Sequence, residues 1–430
     1  MKTLLALPLL ALSFALAPAS SAKPAAAADD AYAARVAKVL KSTPLIDGHN
    51  DWAETLVDNA GDQRWTIDLN TLDPQKFDTD ITRLRKGKVG GNFWSVYVSA
   101  NLPELEQVKA TLEQIDLVNS IIARYPQTFE HARTAADVRR AFRAGRIASM
   151  MGVEGGGQID GSFSVLRAYH QLGAGYLTLT HSRTIAWADS ATDNPQHDGL
   201  TPFGIEVVRE LNRLGMLVDL SHVSEATMLD ALHASRAPVI FSHSSARAIC
   251  DHPRNVSDAV LKEVAKNGGV VMVNFAPNYV SEERRKWGAA RAGEIASYNN
   301  PPFGGLYIGQ PDKAKAALEA WMAAHPAPVV TLGQVADHID HIAKVAGYDH
   351  VGIGSDYDGL GGDLPEGLDT VQDYPALFVE LAKRGWSDAN LAKLAGGNIL
   401  RVMEAAEKVA KNMAGDKPAT ATVAALDNAK

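Results

Sequence analysis

The chain has 430 residues, 42 basic and 50 acidic, and a formal net charge of −8. An acidic surface without long charge runs is a poor partner for nucleic acid. A single cysteine, Cys250, excludes an intramolecular disulfide.

The first residues read as an export signal. Lys2 supplies the positive start, LLALPLLALSFALA the apolar core, and Ser20-Ser21-Ala22 a small-residue cleavage site. Cleavage after Ala22 removes the one charge of Lys2, so −8 becomes −9. No later segment is apolar enough to span a membrane. The expected product is exported, periplasmic in a bacterium or otherwise secreted.

Residues 23–31 read as a flexible leader and 32–42 as a helix. Eight short apolar or β-branched runs follow, at 44–49, 92–99, 147–153, 175–181, 215–221, 237–242, 269–275 and 350–355. Helical patterns separate most of them, at 103–124, 134–144, 201–213, 224–234 and 257–266. Strands alternating with helices predict βαβ units and a parallel sheet. Eight repeats predict a closed (β/α)8 TIM barrel as one catalytic domain over 43–413. An open doubly wound sheet is the weaker alternative, because no GxGxxG turn follows the first run. The Asp-rich interval 50–91 is expected at or beside the barrel mouth. The insertion 276–330, between the seventh and eighth runs, is expected on the same face, as a lid or a packed subdomain. Residues 375–413 read as closing helices and 414–430 as a disordered tail.

Five candidate metal ligands end these runs: His49 and Asp51 in LIDGHND, Glu154 in MMGVEGG, His222 in LVDLSH and His243 in APVIFSH. Residues ending parallel barrel strands converge on one mouth. Residues i and i+2 of a strand point the same way, so His49 and Asp51 reach one ion together. Glu154 ends a buried run, where a carboxylate is costly unless paired or coordinated. It is the candidate bridge between two ions. His181 ends the fourth run and is assigned to oxyanion stabilisation. Arg254, in DHPRN, suits a substrate carboxylate held bidentately. Asp356, in GIGSDYDG, is the candidate proton acceptor, with Asp358 its close competitor. His338 and His341 lie on a helix outside the barrel and read as structural.

At these residues the sequence resembles the membrane (renal-type) dipeptidase family, zinc peptidases with a TIM-barrel fold. The resemblance spans roughly residues 40–410. It rests on DGHND, NFWSVYVS, GVEGG, LTLTHSRTIAWADS, LVDLSHVS, PVIFSHSSARAICDHPRN and VGIGSDYDG, in that order. It implies one zinc ion on His49, Asp51 and Glu154, and a second on Glu154, His222 and His243. It also implies substrate contacts from His181, Arg254 and Asp356. The expected activity is hydrolysis of dipeptides, tolerant at the C-terminal residue and extending to D-amino acids there. Two alternatives stand beside it: another amidohydrolase-type reaction, and a periplasmic peptide-binding protein without turnover. Against the first, the opening motif is HxD rather than HxH, and no candidate bridging lysine is evident. The expected partner is a small peptide, and the expected assembly a homodimer. The chain departs from the animal enzymes of this family in having no lipidation tail, no cysteine pair and a larger 276–330 insertion.

Overall fold

The computed structural model describes residues 23–427, so the expected signal and its cleavage site lie outside the described residues. The strands are β1 (Leu45–Asn50), β2 (Val89–Tyr97), β3 (Phe129–His131), β4 (Ile147–Glu154), β5 (Ala174–Thr178), β6 (Leu217–Asp219), β7 (Ile240–Phe241), β8 (Val270–Val273) and β9 (Val351–Ile353). All pair in parallel. The order β2-β1-β9-β8-β7-β6-β5-β4 is closed by a β2–β4 pairing, giving an eight-stranded barrel. The ninth, β3, is a short addition beside the start of β4. Each of the eight runs read from the sequence contributes one barrel strand. The accessory strand was not foreseen, because three residues are too few to carry a period-2 signal.

Alternation along β4 sets the two layers of packing. Ala148 and Met150 belong to the cluster that fills the barrel, while Ile147, Met151 and Val153 face the surrounding helices. The same alternation carries Glu154 onto the inner face, above Met150. The opposite end of the barrel is closed by the helix Asn398–Asn412, whose Ile399, Met403 and Ala406 join Met272 and Val270 in that cluster. Chemistry is therefore confined to the C-terminal mouth.

The outer helices begin where side chains cap them. Thr134, Thr201, Ser224 and Ser257 each accept a backbone N–H from the first turn. Each such cap is worth about 1 kcal/mol. The insertion between β8 and β9 folds as the helices Pro277–Val280, Glu282–Tyr298 and Pro311–Ala324. In the 50–91 interval, the helix Trp52–Ala60 starts directly after the metal-ligand candidate Asp51.

Both terminal expectations need correction. The expected leader at 23–31 is part of the helix Lys23–Ser42, in keeping with its alanine-rich composition. The expected disordered tail is docked as far as Asp427. Ala419 donates its N–H to Glu210, Arg167 donates to the Ala419 carbonyl, and Asp427 accepts the Phe203 N–H. Burial of Ala419 and packing of Val423 and Leu426 against the core hold the segment.

Among the described residues no helix is long and apolar enough to cross a membrane.

Candidate metal centre and substrate cavity

Five side chains from four strand ends meet at the mouth. Glu154 sits at their centre and is 4% exposed. Its Oε2 lies 3.2 Å from His49 Nε2, while its Oε1 lies 3.0 Å from His222 Nε2 and 3.4 Å from His243 Nε2. The two oxygens thus face two different groups of ligands. Asp51 Oδ2 completes the first group at 3.3 Å from His49 Nε2. Donor atoms of His49, Asp51 and Glu154, and of Glu154, His222 and His243, lie within 4.8 Å of one another in each set.

The route to this convergence differs from the sequence argument in one respect. The register of β1 shifts between Asp47 and Asn50, and Asp51 is the residue at which the next helix begins. His49 and Asp51 converge through that irregularity, not through regular strand alternation. His222 and Asp356 also carry left-handed backbone, at φ 69° each. Non-glycine residues in that region are uncommon and cluster at functional sites.

The donor set fits divalent metal. His49 Nε2 and Asp51 Oδ1 are buried and have no hydrogen-bond partner. His222 Nε2 and His243 Nε2 face each other at 2.8 Å. Their hydrogen-bond networks explain why lone pairs point inward. The His49 Nδ1 lies 2.9 Å from the Tyr176 hydroxyl, which has the Gly48 carbonyl at 3.4 Å as its own acceptor. His243 Nδ1 lies 2.9 Å from Ser242 Oγ, which donates at 2.7 Å to Asp219. Each ring therefore uses Nδ1–H as donor and leaves Nε2 free, the usual arrangement behind a metal-bound histidine. Imidazole and carboxylate together suit zinc, with other first-row ions possible competitors for the same set.

Two buried carboxylates stand behind the ligands. Asp219 accepts the Ser221 and Ser242 backbone N–H groups at 3.1 and 2.8 Å on one oxygen. Its other oxygen accepts the Thr178 and Ser242 hydroxyls at 2.6 and 2.7 Å. Asp47 similarly accepts the Ser355 N–H at 2.8 Å and the Ser355 and Tyr374 hydroxyls. Burial raises the pKa of both, and their hydrogen bonds oppose that rise.

The ligands open onto a cavity of about 450 Å³. Its lining includes the acidic residues Asp51, Glu54 and Asp356. Burial, reinforced by Asp51, pushes Asp356 up to about 8 and Glu54 up to about 9. Glu154 behaves oppositely: burial favours its neutral form, but His49 and His222 outweigh it and hold the pKa well below normal. Gly359 lets the β9 loop close in, since a Cβ there would lie 2.4 Å from Asp51 Oδ2 and 2.9 Å from Asp356 Oδ1.

Arg254 lines the same cavity and is 1% exposed. Among the described residues it has no carboxylate partner; its contacts are Ser244 Oγ at 3.5 Å, the His243 carbonyl at 3.4 Å and the Tyr279 ring at 5.5 Å. A buried guanidinium so weakly satisfied is a ready anion site. His181 also lines the cavity, 4.1 Å from the His222 ring and 4.5 Å from the Tyr97 ring by centroids. Burial lowers its pKa, so the ring is neutral.

Asp356 is close enough to the cluster that its carboxylate shares a donor set with His49 and His243. Asp358 turns away: it accepts the Asp78 N–H at 2.9 Å, and Asp78 accepts the Asp358 N–H at 2.8 Å. His338 and His341 are remote from the centre, bonded to Ala246, Val280 and Asp258. The sequence reading missed Glu54, Tyr97 and the supporting groups Tyr176, Asp47 and Asp219. Only the last two had a local signal, since LIDGH and LVDLSH both place Asp just before a histidine.

Comparison with known proteins agrees with this geometry. Residues 33–417 match the family model described as membrane dipeptidase (peptidase family M19). A dipeptidase and metallopeptidase of family M19 shares 26% identity and a TM-score of 0.69, over 85% of this chain and 98% of that one. A metallopeptidase from Rhodobacter sphaeroides, solved with a phosphinate mimic of the dipeptide L-Ala-D-Ala, shares 25% identity and a TM-score of 0.68, over 85% and 99%. The probable dipeptidase PvdM from Pseudomonas aeruginosa has the same fold, with TM-score 0.74 at 24% identity, over 88% and 99%. A TIM barrel with a His/Asp/Glu cluster at its mouth, matched over nearly its whole length, places the chain in the membrane dipeptidase family, M19, as a metallopeptidase that hydrolyses dipeptides.

Proposed function

We propose that the enzyme uses two zinc ions, bridged by Glu154, to cleave dipeptides of broad C-terminal identity, D-residues included. His49 and Asp51 hold one ion, His222 and His243 the other. The observation that carries this reading is the cavity's lining: buried Arg254, with no carboxylate partner among the described residues, together with the acidic groups Asp51, Glu54 and Asp356. A dipeptide zwitterion presents the complementary charges, a carboxylate for Arg254 and an ammonium group for the acidic residues.

Bound at this cluster, the ions supply Lewis acidity toward the scissile carbonyl and toward the attacking water. The protein's residues do the rest. Arg254 clamps the C-terminal carboxylate and so limits length to two residues. Glu54 and its acidic neighbours receive the α-ammonium group. His181, neutral and carrying one N–H, donates to the carbonyl oxygen as charge develops there, a contribution worth about 3 kcal/mol in comparable sites. Asp356, whose carboxylate lies beside His49 and His243, takes the water proton and returns it to the leaving amine.

A carboxylate clamp constrains the side chain at that residue little. The phosphinate mimic of L-Ala-D-Ala bound by the Rhodobacter relative supports the same tolerance. Export with cleavage after Ala22, and a homodimer, belong to this proposal. Turnover of Ala-L-Ala, Ala-D-Ala and Ala-Ala-Ala by zinc-loaded protein tests it. Both dipeptides should be cleaved and the tripeptide spared; cleavage of the tripeptide alone would reject the clamp.

A further inference from the structure

Another cavity, of about 580 Å³, lies at the opposite end of the barrel. Pro44 and Val89, where β1 and β2 begin, bound it, as does Arg146, just before β4. His49 and Glu154 stand at the other ends of β1 and β4. Six cationic side chains line the cavity: Lys41, Arg85, Lys88, Arg139, Arg143 and Arg146. Among the described residues no Asp or Glu does, although the chain as a whole has a net charge of −8.

Two of the six are neutralised from outside the lining, Arg139 by Glu404 at 2.5 Å and Arg146 by Glu130. Arg85 is held by carbonyl groups instead, donating to Gly145 at 2.6 Å and to Gln127 at 3.2 Å. Burial without a counterion lowers its pKa. Among the described residues the side chains of Lys41, Lys88 and Arg143 make neither an ion pair nor a hydrogen bond. Three helices end at the cavity, Lys23–Ser42, Ile81–Lys86 and Ala135–Arg143. Their C-termini offer at most about half a negative charge each. Against four cations without a carboxylate, a surplus of roughly 2.5 positive charges remains. Lys88 is moreover held at φ 60°, left-handed backbone that lysine adopts rarely.

We propose that this cavity is a binding site for a phosphate dianion, either a free phosphate ester or one carried on a lipid headgroup. A compact anion of about two negative charges matches the surplus. The donors approach from three helix ends and from the turn at Lys88. A tetrahedral phosphate presents oxygens in several directions, whereas a carboxylate presents two in one plane. Leu40 and Phe142 supply apolar wall beside the cations, enough for the carbon stem of an ester. The site does not depend on the dipeptidase reading, and an occupant there leaves the metal mouth open to substrate.

The test is calorimetric titration of the zinc-loaded full chain with glycerol 3-phosphate, beside sedimentation with phosphatidylcholine vesicles that contain or lack phosphatidic acid. Wild type is compared with Lys88→Glu, Arg143→Glu and Lys88→Gly. The wild type should bind the soluble phosphate or the phosphatidic acid vesicles, less tightly as ionic strength rises. Each charge reversal should weaken that binding by roughly tenfold or more. Ala-Ala turnover should be the same in every variant. Lys88→Gly relaxes the left-handed residue, so it should keep or raise the melting temperature while weakening binding, which separates lost charge from lost fold. Binding of glycerol 3-phosphate identifies a free ester as the ligand, and binding to the phosphatidic acid vesicles alone identifies a headgroup. Absence of both would overturn the site. So would binding that survives the charge reversals, as a phosphate seated on the zinc centre would.

Discussion

The two halves of the metal cluster are built by different means. On the β6/β7 side, His222 and His243 come from adjacent strands, and one carboxylate in the barrel wall, Asp219, braces both of their approach segments through Ser221 and Ser242. On the β1 side, His49 and Asp51 come from one irregular segment, and the His49 ring is oriented from across the barrel by Tyr176 of β5. That second contact depends on Gly152, because a Cβ there would lie 1.8 Å from Tyr176 Cζ. Asp219 spans the segments of both histidines of the first half, whereas in the second half the wall carboxylate Asp47 holds the His49 backbone, accepting its N–H at 3.2 Å, and the ring is oriented by a hydroxyl crossing the interior. Loss of Asp219 should therefore loosen His222 and His243 together, and loss of the Tyr176 hydroxyl should free the His49 ring alone.

The largest effect is expected at Asp219. Replacement by Asn puts an amide N–H₂ against donors that the carboxylate accepted. Urea unfolding of metal-free protein should show a loss of about 3 kcal/mol. Affinity for the ion on His222 and His243 should drop by roughly 10–100-fold, while the ion on His49 and Asp51 is retained. Equal weakening of both ions would remove the distinction between the halves.

A comparable effect, set by pH, is expected at His338. Its Nδ1 accepts the Ala246 N–H and its Nε2 donates to the Val280 carbonyl, tying the loop after His243 to the insertion. Burial lowers its pKa from 6.5 to about 4. The folded state therefore binds this proton less readily than the unfolded state. The resulting stability is complete above pH 6.5 and is lost as pH falls toward 4, by about 3 kcal/mol in all. His338→Gln should flatten that part of the stability profile; an unaltered pH dependence would reject the assignment.

Tyr176→Phe should have the smallest effect on folding, about 1 kcal/mol for one hydroxyl. It should nonetheless loosen the ion on His49 and Asp51 selectively, as competition with a chelator would measure. Loss of the other ion first would reverse the assignment of the two halves.

How far the sequence reveals this arrangement depends on the range of the contact. Barrel strands and helices were legible because a buried run, a Ser or Thr cap and a helical period are local features. The convergence of His49, Glu154, His222 and His243 was legible because each lies at the end of a parallel strand and parallel strands share one mouth, whereas Asp51 joins them through the start of the next helix. Tyr176 was not, because only closure of the barrel brings β5 opposite β1. Glu54 was hidden among the acidic residues of 50–91 until the helix Trp52–Ala60 turned it toward the cavity. The tail after 414 reads as polar and alanine-rich, yet Glu210, Arg167 and Phe203 give it docking partners that no local pattern contains.

The central claim is that the two oxygens of Glu154 serve both halves. Metal content per chain, measured on wild-type protein and on Glu154→Ala after equal zinc loading and dialysis, tests it most directly. The account predicts two ions in the wild type and joint loss of both in the variant. Retention of both ions by Glu154→Ala would contradict it.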